Sequence, residues 1–142
     1  MENPSYLKEI ETGFELLVVK AASFPAGVMA AHQKLHGIIK PDDTRRYFGK
    51  SQGNPEGGIV YWAAVKKNPG DDPEALSLET ESIPAGKYLC RNLSNYMKQP
   101  GIIGEAFDEM LKNPEVDFEN GFCLEDYVTM DEVICMVKLK DI

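Results

Sequence analysis

Apolar residues are grouped in short runs along this chain, and most runs have the length and composition of β-strands. Phe14 to Ala22 is apolar and rich in β-branched residues, which predicts one strand, and Ile59 to Val65 predicts another. Leu76 to Leu93 predicts a pair of strands or one long bent strand, because Pro84 and Gly86 do not suit the interior of a regular ladder. The pattern therefore indicates a protein built largely on a sheet.

Two helices are predicted between these strands. Pro41 suits the first position of a short helix that ends near Gly49, and Pro100 opens a second, longer helix. Apolar residues at helical spacing give the second helix one apolar face: Ile102, Ile103, Ala106, Phe107, Met110 and Leu111. After it, Phe122 to Val128 and Val133 to Leu139 predict a closing hairpin.

The chain also contains an internal repeat. Ser23-Phe24-Pro25-Ala26-Gly27 recurs as Ser82-Ile83-Pro84-Ala85-Gly86, 59 residues later, and the same offset carries Pro41 onto Pro100 and Phe48 onto Phe107. Because repeat equivalents tend to play the same part, Phe48 and Phe107 are expected in the core.

The repeat also decides how the segment from Val28 to Ile39 is interpreted. This segment contains good helix formers, but its partner in the repeat, Lys87 to Leu93, alternates as a strand does. We therefore predict a strand in both places.

The repeat predicts the architecture as well. Each half reads as a strand, a helix and one or two strands, over residues of about 13–67 and 76–140. We expect an α+β fold in which two pseudo-symmetric β-α-β-β halves form a curved antiparallel sheet, with two helices on one face and a central cleft. Residues 1–12 are polar and are expected to be a loose lead-in, which leaves 13–142 as a single domain.

Composition excludes several classes of function. A net charge of −8 and a pI near 4.8 give no overall electrostatic affinity for nucleic acid. No apolar run has the length of a membrane span, and the first residues lack the basic and apolar regions of a signal peptide. The three cysteines lack C-x-x-C spacing and are expected to be buried small hydrophobes in a reducing compartment, so a cytoplasmic location is predicted.

Several motifs of the second half occur in a recognisable order. They are Ile83-Pro84-Ala85-Gly86-Lys87-Tyr88, the amphipathic helix, Leu124-Glu125-Asp126-Tyr127 and a final strand from Cys135 to Leu139. In this order they resemble the GyrI-like small-molecule-binding family, the effector-binding domain of AraC-type and MerR-type multidrug regulators. The chain departs from the family mildly, because Leu139-Lys140 stands where a proline usually ends the last strand.

The resemblance implies a ligand cleft between the two halves, with an acidic residue that matches Glu125 and faces cationic aromatic ligands. Since only about a dozen residues precede the first strand, we expect a stand-alone effector-binding domain without a helix-turn-helix module. Any role in transcription would then pass through a partner protein, or the protein would sequester its ligand.

The candidate ligand-binding residues follow from strand alternation and the repeat. Glu125 and Tyr127 lie two residues apart on a predicted strand and therefore share a face. Trp62 is placed opposite Glu125 by the repeat, and an aromatic ring beside a carboxylate suits a flat or quaternary cation. Tyr61 would then point to the other face. Three further residues complete the candidate set: Tyr47, Tyr96 and Met110.

Two further interpretations of the chain remain open. Some proteins of the family resemble hydrolases of strained cyclopropane-bearing metabolites, and in that case Glu125 would act as general acid or base, with Tyr127 or Trp62 orienting the substrate. The acidic surface would otherwise suit a module that binds or inhibits a basic protein. No cofactor motif is present, and His32 and His36 lack a third ligand at suitable spacing, so no metal is expected and these histidines are interpreted as a solvated face.

Overall fold

The computed structural model describes residues 4–40, 42, 44–119 and 121–141. Eight strands occur in this part of the chain: β1 Tyr6–Ile10, β2 Phe14–Lys20, β3 Tyr47–Gly53, β4 Ile59–Lys66, β5 Glu79–Ile83, β6 Gly86–Ser94, β7 Cys123–Tyr127 and β8 Glu132–Lys138. Three α-helices and one 3-10 turn accompany them: α1 Val28–Ile38, α2 Pro73–Leu76, α3 Ile102–Met110 and the turn Tyr96–Lys98. None of these helices is long and apolar enough to cross a membrane.

The strands form one antiparallel sheet that curls into a half-barrel, in the order β1-β6-β8-β7-β3-β4-β2-β5. This order reads the same from both edges when β1-β2-α1-β3-β4 is exchanged with β5-β6-α3-β7-β8. The pseudo-twofold axis therefore passes between β3 and β7, where Gly49 pairs with Glu125. The predicted α+β architecture of two like halves in one curved sheet is confirmed.

Both long helices pack on the same face of the sheet. Ala31 and Leu35 of α1 lie against the odd-numbered residues of β2 and β4, such as Leu17 and Ala63. On the other side of the axis, α3 uses the apolar face predicted from its sequence to cover β6 and β8, with Ala106, Phe107 and Met110 buried. Burial of a Leu, Phe or Met side chain contributes about 1.5–3 kcal/mol, so Leu35 of α1 and Phe107 and Met110 of α3 fix the two helices firmly to the sheet.

The opposite face of the sheet encloses a separate core. Ten buried residues from seven strands and one adjoining position meet inside the curl: Leu16, Val18, Phe48, Ala64, Ile83, Tyr88, Cys90, Phe122, Leu124 and Met136. No helix of the described part packs on this side. The link between β5 and β6 is only two residues long, which brings the two edges of the sheet near each other around this interior.

Two local predictions from the repeat are wrong. Val28–Ile38 is a helix, not a strand, because its small and straight-chain residues favour a helix and Ala31 and Leu35 fall four apart on one face. The two five-residue motifs also have different settings: the first leads from β2 into α1, whereas the second joins β5 to β6. They share a sequence pattern but neither a backbone conformation nor a position in the fold, since φ is −88° at Gly27 and +139° at Gly86.

The helix predicted near residues 41–49 is also wrong over the part that the structure describes. Pro41 lies outside the described residues, and Tyr47–Gly53 is strand β3. Phe48 and Phe107 are therefore not structural equivalents, although both are buried in the core as expected. The loose lead-in contains strand β1, which pairs with β6 from Tyr6 opposite Cys90 to Ile10 opposite Gly86.

Candidate functional site

A cleft opens on the helix-bearing face of the sheet, between α1 on one side and the 3-10 turn and the β7–β8 turn on the other. Its volume is about 620 Å³, within the usual range for small-molecule sites. Thirteen residues line it: Val28, Met29, His32, His36, Asp42, Arg45, Tyr47, Tyr96, Met97, Tyr127, Val128, Thr129 and Met130. The cleft lies beside the pseudo-twofold axis and takes residues from both halves.

A buried carboxylate lies beneath the floor of this cleft. Glu125 is in the middle of β7, between Gly49 on β3 and Cys135 on β8, and it is only 8% exposed. Its side chain points to the helix-bearing face, as does that of Tyr127, two residues further along. Among the described residues no cationic side chain forms an ion pair with Glu125.

A chain of hydrogen bonds connects Glu125 to the wall of the cleft. The hydroxyl of Tyr127 donates to Oε1 of Glu125. The hydroxyls of Tyr61 and Tyr127 are 3.4 Å apart, and Tyr61 shares a 2.8 Å hydrogen bond with Nε2 of His32. Because Tyr127 gives its only proton to Glu125, the proton between the tyrosines comes from Tyr61, and the proton on the last bond comes from Nε2 of His32. Every donor in the chain is thus oriented toward the carboxylate.

Burial sets the protonation states along this chain. It raises the pKa of Glu125 above its ordinary value, and the hydrogen bond from Tyr127 offsets this only in part. Burial, followed by the charge of Glu125, raises the pKa of both Tyr61 and Tyr127, so neither tyrosine ionises near neutral pH. Burial, with a smaller effect of His36, lowers the pKa of His32 to about 4, so this imidazole is neutral at pH 7.

A glycine makes room for this arrangement. A Cβ atom at Gly49 would collide with the hydroxyl and ring of Tyr61, which crosses the sheet above the glycine. Tyr61 reaches Tyr127 on the far side of the axis because the strand between them has no side chain at this point. Gly49 therefore permits the contact between the two halves.

Aromatic rings build the walls of the cleft. Tyr96 lies with its ring centroid 6.0 Å from that of Tyr127, and His36 contacts Tyr47 edge-on at 5.0 Å. The hydroxyl of Tyr47 is buried without a well-formed hydrogen bond to the described residues. The faces of aromatic rings carry partial negative charge and attract cations, so a cleft lined by Tyr47, Tyr96 and Tyr127 suits a cationic ligand.

The mouth of the cleft is apolar and exposed. Met29, Met97 and Met130 come from three different segments and are 65%, 67% and 83% exposed. Their flexible thioether side chains can adapt to ring surfaces of different shapes. A large apolar ligand would cover surface that is otherwise in contact with water.

The structure brings together four of the six residues proposed from the sequence. Tyr47, Tyr96 and Tyr127 line the cleft, and Glu125 lies directly behind Tyr127. Met110, the last residue of α3, is instead buried in the core. 

Trp62 lies on the opposite face of the sheet, which corrects the placement that the repeat gave. Its ring is in the interior of the curl, 5.3 Å from the ammonium group of Lys50. The repeat aligned Trp62 with Glu125 at an offset of 63 residues, slightly longer than the 59 of the other matches, and this alignment paired the wrong residues. Since neighbours on a strand point to opposite faces, Tyr61 is the residue that faces the site.

Sequence reasoning missed two members of the hydrogen-bonded chain, Tyr61 and His32, as well as the methionines at the mouth of the cleft. His32 was interpreted as part of a solvated face, but it is half-buried and its ring centroid lies 5.8 Å from that of Tyr127. A helical interpretation of residues 28–38 would have placed His32 and His36 one turn apart beside the apolar face of Ala31 and Leu35. That helical spacing was the feature of the sequence from which the position of His32 could have been predicted.

No protein-family model matches this sequence, and no curated protein matches it at a significant level. Solved structures match it in fold. An integron cassette protein from the mobile metagenome of Vibrio cholerae has a TM-score of 0.68 and 16% identity, over 96% of this chain and 95% of that one. The structure of SAV2435 bound to tetraphenylphosphonium has a TM-score of 0.65 and 14% identity, over 95% of this chain and 94% of that one.

A hydrolase from Listeria innocua is also similar, with a TM-score of 0.60 and 11% identity over 98% of this chain and 93% of that one. At identities this low the likeness establishes a shared fold.

Proposed function

We propose that this chain is a GyrI-like effector-binding domain whose cleft binds a small amphipathic cation with aromatic rings. The observation that carries the proposal is the position of Glu125, a buried carboxylate without a cationic partner among the described residues, joined to an aromatic cleft by Tyr127. Burying a charge without a counter-charge is costly, and a bound cation would supply one.

The binding chemistry follows from the layers of the site. The exposed methionines would cover the apolar body of the ligand, and the rings of Tyr47 and Tyr96 would contact its positive charge. Tyr127, through its hydrogen bond to Glu125, would connect the ligand with the buried carboxylate. The fold shared with SAV2435, whose structure holds tetraphenylphosphonium, supports the same class of ligand. The motifs around Ile83 to Tyr88 and Glu125 to Tyr127, which resemble those of the family, support it independently.

The biological role would be regulation through a partner protein or sequestration of the ligand. The described cysteines Cys90, Cys123 and Cys135 are all free, which agrees with a reducing compartment such as the cytoplasm.

The test is a calorimetric titration with tetraphenylphosphonium and with the neutral triphenylphosphine oxide. Wild type should bind the cation more tightly. Glu125→Gln keeps the shape of the side chain and should weaken cation binding by about 2–5 kcal/mol, the range for removing one member of a buried charge pair. Binding of the neutral compound should change much less. Equal affinities of both proteins for both compounds would contradict the proposal.

A hydrolase is the second candidate, because a carboxyl group with a raised pKa beside a tyrosine hydroxyl suits general acid or base catalysis. The fold shared with a Listeria innocua hydrolase agrees with it. Turnover of a cyclopropane-bearing electrophile that is lost in Glu125→Gln, with binding retained, would favour this candidate. Binding of cations without any turnover would favour the effector-binding domain.

A further inference from the structure

The helix-free interior of the curled sheet contains a second, smaller opening. It is a slot of about 280 Å³ near the ends of β1, β2 and β4, at the lower limit for small-molecule sites. Its floor consists of apolar side chains: Ile10, Phe14, Phe48, Leu124 and Met136. The rings of Phe14 and Phe48 are 5.7 Å apart, so part of the floor is aromatic.

Two lysines from different strands reach into this slot. Lys8 pairs with the fully buried Tyr88 across β1 and β6, so it shares the inward face, and its charge partly offsets the burial that raises the pKa of the Cys90 thiol. Lys66 pairs with the buried Leu16, and its ammonium group is 5.0 Å from the centroid of the Phe14 ring. Neither lysine forms an ion pair with a described residue.

The other charges of the slot neutralise each other or point away. Arg46 donates to both carboxylate oxygens of Asp126 at 2.7 and 2.6 Å, and Asp126 is only 4% exposed. Glu9 lies on the outer face of β1, directly opposite Lys87. The inward charge that remains is therefore that of Lys8 and Lys66, in a protein whose net charge is −8.

We propose that this slot is a second binding site, which takes a small aromatic monocarboxylate. The two ammonium groups would bind its carboxylate oxygens, and the ring would lie against the apolar floor beside Phe14. Charge complementarity selects an anion here, because the site concentrates positive charge on a protein that is otherwise acidic. The site lies on the face of the sheet opposite the cleft, so it does not depend on the function proposed for the cleft.

The experiment uses 2-naphthoate and its neutral analogue 2-naphthamide as probes, with protein labelled at the methionine methyl groups with carbon-13. Met136 lines the slot, whereas Met29, Met97 and Met130 line the cleft. We expect 2-naphthoate to shift the Met136 signal in a saturable manner and to bind more tightly than 2-naphthamide. Shifts confined to the cleft methionines, or equal affinities for the two probes, would overturn the proposal.

The test variant combines Lys8→Met with Lys66→Met, and the matched control combines Lys112→Met with Lys140→Met. Both change the net charge by the same amount, and Lys112 and Lys140 are exposed away from the slot. The first pair should weaken 2-naphthoate binding by about tenfold or more and leave 2-naphthamide unchanged, while the second pair should have little effect. Equal losses in both variants would mean that only the overall charge matters. Arg46 is kept, because its removal would leave Asp126 buried without a partner.

Discussion

Tyr61 crosses the sheet directly above Gly49, and its hydroxyl occupies the space that a Cβ atom at this glycine would need. The contact places Tyr61 between His32 of the first half and Tyr127 of the second. It is the point at which the two halves of the fold share one hydrogen-bonded chain.

Gly49→Ala should therefore damage the site more than the fold. The new methyl group forces the Tyr61 ring to move, which should cost about 1–3 kcal/mol of unfolding free energy and break the link between His32 and Tyr127. Urea denaturation and tetraphenylphosphonium titration measure the two effects. Gly53→Ala is the control on the same strand, since a Cβ atom at Gly53 would have no other atom within 4 Å. Similar behaviour of the two variants would show that Tyr61 does not depend on Gly49.

Glu125→Gln should stabilise the protein at neutral pH. The unfolded chain releases the Glu125 proton near the ordinary value of 4.5, whereas burial raises the pKa in the folded protein. Between these two values the folded state binds more protons, so the stability of wild type falls as pH rises through this window. The variant lacks that loss and should be more stable above the window, by on the order of 1–3 kcal/mol.

Denaturation curves at several pH values, with the exposed Glu79→Gln as control, measure this difference. The advantage of Glu125→Gln should disappear below the ordinary pKa of glutamate, where both states of wild type are protonated. A constant difference at all pH values would indicate a packing effect and not a buried charge.

Cation binding should be coupled to proton release. A cation in the cleft favours the ionised form of Glu125, so the affinity for tetraphenylphosphonium should rise with pH through the range in which the free protein loses this proton. Calorimetry in two buffers of different ionisation enthalpy should then detect protons leaving the protein. Glu125→Gln serves as control and should release none. Binding without proton release at any pH would contradict this coupling.

His32 should be neutral throughout the physiological range, with its proton on Nε2. Its pKa is lowered to about 4 by burial and then by His36, and the hydrogen-bonded chain requires Nε2 as the donor to Tyr61. Nitrogen-15 spectra of the imidazole should show this tautomer from pH 8 down to about 5. Because the unfolded chain binds this proton near 6.5, His32 should also reduce stability as pH falls from 6.5 toward 4, and His32→Gln should lack that loss. A His32 resonance that titrates near 6.5 would contradict the buried chain of hydrogen bonds from His32 to Glu125.

The local pattern of the sequence determined most of the strands and one helix. Alternation and β-branched runs placed β2, β4, β7 and β8, and the apolar face of α3 was visible in its spacing. The same alternation put Glu125 and Tyr127 on one face, because a strand has a strict period of two. These features depend only on residues close together in the sequence, so they can be predicted without knowing the fold.

Tertiary structure decided which residues meet. The matching motifs at Ser23 and Ser82 lie in unrelated positions of the fold. The repeat therefore placed Trp62 beside Glu125, whereas the fold places Tyr61 on that face, next to Tyr127. Residues 28–38 form a helix, which packs on β2 and β4 and brings His32 to the cleft. Strand pairing across the pseudo-twofold axis sets these contacts, and pairing depends on the packing of distant segments, for which local spacing carries no signal.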